Sequence, residues 1–157
     1  MSCPPPKPAD ATPPLTVFIA TSRRFYPEAE ALCEVLRGCG VRVFHPYFDR
    51  DARAIEADPE LKVAVTREHF PELDGSDVVY ALLPGGYTGT SVAMELAYAF
   101  AKGKRVVTSE PSAEFAVRAV VDAVIPPEDF PGTLSGPTGR PREPSAKEPE
   151  EFPRPLR

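Results

Sequence analysis

Four short runs rich in apolar and β-branched residues recur along the chain: LTVFIA (15–20), VRVF (41–44), DVVYALL (77–83) and KRVVTS (104–109). Helix-patterned segments separate them, and this alternation constrains the fold more than any other feature. Strands that are apolar on both faces belong to a sheet covered on both sides, and a helix between successive strands makes the pairing parallel. The expected fold is an α/β open sheet, mostly parallel, with helices on both faces. AVI (123–125) supplies a short fifth strand.

The intervening segments carry helix signals. Pro27 suits a first turn, Ala29, Leu32, Cys33 and Leu36 follow at i, i+3, i+4 and i+7, and Gly38 and Gly40 end the pattern. Residues 49–73 read as helical in pieces, with Asp58 as cap, Pro59 in the first turn and Pro71 disturbing the end. Ala116, Ala119, Val120 and Ala123 have helical spacing.

Proline bounds the folded body. Of 21 prolines, six fall in residues 1–14 and nine in 126–157. Segments so rich in proline and charge bury too little surface to order themselves. The expected organisation is a proline-rich arm (1–14), one α/β nucleotide-binding domain (15–130) and a charged, proline-rich tail (131–157). The formal net charge of -5 argues against a general nucleic-acid binder but permits a local anion pocket. Cys3, Cys33 and Cys39 show no metal or redox spacing and read as reduced thiols of a cytoplasmic protein. No apolar run is long enough to cross a membrane, and no secretory signal is read at the N-terminus.

Ligands on such sheets bind at the carboxyl ends of the strands. Two loops fall there. ATSRRFY follows the first strand and brings Ser22, Arg23 and Arg24, whose guanidiniums suit a phosphate. PGGYTGTS follows the third strand and brings Gly89, Thr90 and Ser91 to a helix start. Glycines let backbone N–H groups approach an anion, and a helix N-terminus favours negative charge. The loop lacks the Gly-Lys-Ser/Thr of a Walker A motif. A flexible turn capped by Thr90 or Ser91 is the plainer reading of the same residues.

The helix after that loop carries one charge, Glu95, among Val92, Ala93, Met94, Leu96, Ala97, Ala99, Phe100 and Ala101. A carboxylate in so apolar a stretch is costly to bury unless something pairs with it or uses it. It can attack an anomeric carbon or stabilise an oxocarbenium ion. The structural alternative is a core-edge glutamate paired with Arg23 or Arg24.

VFIATS, LDGSDVVYALL and GTSVAMELAYAFAKGKRVV together resemble the nucleoside 2-deoxyribosyltransferase family and its nucleoside monophosphate N-glycosidase branch. The resemblance covers about residues 16–108. It implies a flavodoxin-like fold, homodimers or larger homo-oligomers, no cofactor, and a glutamate nucleophile that breaks the N-glycosidic bond through a glycosyl ester. Glu95 falls on that glutamate, and Thr90 and Ser91 fall in the loop that binds the sugar 5′ end or its phosphate. The chain departs from the pattern twice. Phe18 stands where a tyrosine near the sugar is common, and His69 stands eight residues before Asp77, where the family has an acidic residue that protonates or orients the base. A histidine can act as general acid, with Glu68 the alternative. Asp77 itself reads as structural.

The leading expectation is cleavage or exchange of the N-glycosidic bond of a nucleoside 5′-monophosphate or nucleoside. PGGYTGT is also similar to the loop of phosphoribohydrolases that activate cytokinin nucleotides, although an extra residue interrupts that motif. A non-catalytic nucleotide-binding protein on the same fold is the third reading. The partner in every case is a small molecule rather than a nucleic acid or a membrane.

Overall fold

The computed structural model describes residues 13–134. The arm and tail expected from proline content lie outside the described residues, apart from residues 13, 14 and 131–134. Five strands form one sheet: β1 (Thr16–Thr21), β2 (Arg42–Phe44), β3 (Val78–Leu82), β4 (Arg105–Thr108) and β5 (Ala123–Val124). Their order is β2-β1-β3-β4-β5 and every pairing is parallel. This is the flavodoxin-like arrangement. The helices are α1 (Tyr26–Gly38), α2 (Ala52–Ala57), α3 (Pro59–Asp74), α4 (Thr90–Ala101) and a short α5 (Phe130–Thr133).

The period-two alternation of β1 and β3 divides their side chains between two cores. Val17, Ile19, Val78, Tyr80 and Leu82 meet Ala29, Leu32, Cys33 and Leu36 of α1 on one face. Phe18, Ala20, Val79 and Ala81 meet Val92, Leu96 and Ala99 of α4 and Leu73 of α3 on the other. Carboxylates secure the amino ends of the strands. Thr16 N donates to Asp77 at 2.8 Å and Val106 N donates to Asp122 at 2.9 Å. Asp77 is in the structural role read for it.

Four local expectations are corrected. Residues 115–120 form a 3-10 turn instead of an α-helix: Val117 and Val120 pack against the core, but Phe115 at its start is 77% exposed, so the apolar contact is too short to anchor a longer helix. Pro71 does not end α3, because it lies exposed in the last turn and the helix runs on to Asp74. The order expected to stop at residue 130 continues through α5, where the Phe130 ring stacks on Tyr80 at 4.0 Å. Cys39, at the half-exposed end of α1, is disulfide-bonded and is not the reduced thiol expected. Cys33 remains a free thiol, and burial pushes its pKa up to about 11. Among the described residues, no helix is long and apolar enough to cross a membrane.

Candidate active site

A cavity of about 330 Å³ opens at the carboxyl ends of β1 and β3. The helices that follow these two strands leave to opposite faces, which makes a crevice between adjacent parallel strands. Among the described residues, all of the lining lies between Thr21 and Glu95.

One end is polar. Ser22, Arg23 and Arg24 follow β1, and Gly89, Thr90 and Ser91 begin α4. Gly89 is the N-cap, in place of Thr90 or Ser91, and no side chain caps the helix. The N–H groups of its first turn are therefore available to an anion, with the helix dipole behind them. The two arginines are already oriented. Arg23 donates to the Ala52 carbonyl and meets Glu56 at 3.2 Å, and the Arg24 guanidinium lies 4.2 Å over the Tyr87 ring.

Glu95 lies one turn into α4, about 6 Å of helix rise beyond Ser91. It is buried, with its side chain 6% exposed. Its partner is His69 of α3 rather than Arg23 or Arg24: Glu95 Oε1 is 2.6 Å from His69 Nδ1. With the carboxylate ionised, Nδ1 carries the proton and donates. Among the described residues, His69 Nε2 is buried with no hydrogen-bond partner, as is Glu72 Oε2 one turn further along α3. Burial raises the Glu72 pKa, and His69 and His45 oppose that shift.

The other sequence candidates are placed as follows. Phe18 does not line the cavity. It is fully buried beneath it, edge-on to the His69 ring at 5.8 Å. Glu68 points to Arg50 at 3.1 Å, outside the cavity.

Sequence reasoning missed Tyr26, Tyr47, Lys62 and Thr66, all of which line the cavity. Burial raises the Tyr26 hydroxyl pKa, and the neighbouring Arg23 partly offsets this. Tyr47 lies 5.9 Å from His69, with the Arg50 guanidinium 3.9 Å over its ring. The signal for Lys62 and Thr66 was present, because Lys62, Val65, Thr66 and His69 stand at i, i+3, i+4 and i+7. Tyr47 sits in irregular chain, where no periodicity exists to read.

No family model and no curated protein sequence matches the chain. Solved structures do. The chain is similar to the 2-deoxyribosyltransferase of Bacillus psychrosaccharolyticus, with TM-score 0.58, 18% identity, and coverage of 74% of this chain and 90% of that one. A conserved protein from Enterococcus faecalis V583 aligns with TM-score 0.57 and 19% identity, over 78% of this chain and 98% of that one. A CMP N-glycosidase of Clostridium botulinum aligns more loosely, with TM-score 0.46 and 15% identity, over 76% of this chain and 98% of that one. The chain thus shares the fold of a solved 2-deoxyribosyltransferase, as the sequence resemblance implied.

Proposed function

We propose that this cavity cleaves or exchanges the N-glycosidic bond of a nucleoside 5′-monophosphate, with Glu95 as the nucleophile. One observation carries the reading: a buried carboxylate, one turn behind an uncapped helix N-terminus, is hydrogen-bonded to a histidine at the carboxyl ends of a parallel sheet. The phosphate takes the polar end, against the first turn of α4 and beside Ser22, Arg23 and Arg24. The sugar then reaches one turn deeper, to Glu95. A Glu95 carboxylate oxygen bonds to the anomeric carbon as the bond to the base nitrogen breaks. His69 hands the leaving base the proton on Nδ1. Water or a second base then displaces Glu95 from the sugar.

A panel of nucleosides and their 5′-monophosphates, assayed for released base, tests the reading. The expected result is turnover of at least one monophosphate in preference to its nucleoside. Glu95→Gln should lower that turnover by roughly 10³-fold or more with the fold intact. Binding without release of base across the panel would favour the non-catalytic alternative. Near-normal release by folded Glu95→Gln would remove Glu95 from the chemistry.

A further inference from the structure

His69 and Glu72 stand three residues apart on α3, and such residues are neighbours on a helix surface. Each has a polar atom that is buried and has no partner, His69 Nε2 and Glu72 Oε2. Leaving either atom unpaired in a buried site is costly. One arrangement satisfies both. When His69 is neutral and its Nδ1 donates to Glu95, Nε2 presents a lone pair, and only a donor can meet it. A protonated Glu72 is such a donor through one bridging water, since the two atoms do not meet directly.

We propose that Glu72 stores the proton that the leaving base takes, and that His69 relays it towards Glu95. The inference rests on the glycosidic reaction proposed above. In the step, the Glu72 O–H bond breaks and Nε2–H forms, while Nδ1–H breaks and a new N–H forms on the departing base. The Glu95–sugar bond forms as the sugar–base bond breaks. Glu72 is left as a carboxylate and the base leaves neutral. When water displaces Glu95, its proton returns to Glu72 by the same route. Glu72 is thus a positioning and proton-storing residue that acts through His69.

The groups that act on Glu72 are mixed in sign. His69 and Glu68 lie on α3, His45 and Tyr47 come from the segment after β2, and Glu95 comes from α4. Arg50 holds Glu68 at 3.1 Å. Burial is the largest influence and favours the protonated acid that the relay needs.

Two measurements decide the proposal. The chain has two histidines, so imidazole ¹⁵N spectra are simple and His45→Gln assigns them. In wild type, His69 should be protonated at Nδ1, with Nε2 displaced by an accepted hydrogen bond. Glu72→Gln, which still donates, should keep that displacement, and Glu72→Leu should lose it. An Nε2 signal unmoved by Glu72→Leu in a folded protein would overturn the contact.

The kinetic arm compares a 5′-monophosphate substrate with its cationic N-methyl analogue, 7-methylguanosine or 3-methylcytidine 5′-monophosphate. The base of the analogue leaves neutral without taking a proton. Glu72→Gln should cut kcat roughly 10²-fold on the ordinary nucleotide, with KM little changed, and spare the methylated one. Equal losses on both would overturn the relay. If wild type turns over no nucleotide, the glycosidase reading falls, while the imidazole spectra still decide whether Glu72 and His69 share a proton.

Discussion

His69 and Glu95 are separated by 26 positions in the chain, yet their side chains meet at 2.6 Å. The sequence marked each of them separately, Glu95 by its isolation among apolar residues and His69 by the family resemblance, in which it stands at the position of an acidic residue. Their contact needed the packing of α3 on α4. Arg23 and Arg24 were legible as cavity residues, but their partners Glu56 and Tyr87 were not, because no local rule links positions so far apart. Glu72 was not singled out at all, since an acidic residue on a helix reads as solvated until its burial is known. That burial has a consequence for stability. The folded pKa of Glu72 is raised above its unfolded value. Its contribution is therefore fully present below the unfolded value of about 4.3 and is lost as pH rises through the folded value. Glu72→Gln does not titrate and escapes that loss. Its melting temperature relative to wild type should rise as the pH is raised above about 4. A gap that stays constant as the pH is raised would show that the acid is not desolvated.

Helices and strands were recovered wherever an apolar stripe or a buried run set the period. The Asp58 cap formed as read, with its side chain accepting from Glu60 N and Leu61 N. The 3-10 turn at 115–120 was misread because its spacing is helical but only Val117 and Val120 pack against the core, too short a stripe to hold an α-helix. The loop between β3 and α4 was legible as glycine-rich, but which glycine matters was not. Gly86 has φ +74°, and a Cβ there would lie 2.6 Å from the Pro111 carbonyl oxygen and 3.0 Å from Ala113 N. Gly85 has φ +64° and open space around it. The loop is held against the segment after β4, with Ala113 N donating to Gly86 O at 2.8 Å and the Thr88 and Ser112 hydroxyls 2.7 Å apart. Gly86→Ala should therefore destabilise by roughly 2 kcal/mol or more in urea unfolding, and Gly85→Ala by about 1 kcal/mol. Equal losses would mean that the backbone angle alone, and not the close approach, makes Gly86 necessary.

On the scale of the whole molecule, α4 has an outer face without charge. Met94, Ala97, Phe100 and Ala101 are exposed on it, and Glu95, its only charged residue, is buried. Water-facing helices ordinarily carry charges, and an apolar patch on a surface marks a contact. A second copy of this chain suits such a face, since neither partner would leave a charge unpaired. Sedimentation at micromolar concentration should show a dimer in wild type and a monomer in Met94→Glu. A wild-type monomer would refute the association.

Among the described residues the cavity draws its lining only from 21–95, so β4, β5 and α5 lie outside it. Within that stretch the labour is divided again. The anion end and Glu95 belong to the loop after β1 and the start of α4, while Pro46, Tyr47, Ile55, Lys62, Val65 and Thr66 lie in one contiguous segment. A library at Pro46, Tyr47, Ile55, Lys62, Val65 and Thr66 that spares Ala52 and Glu56, which orient Arg23, can therefore search for new base preferences while the proposed phosphate end and nucleophile are kept.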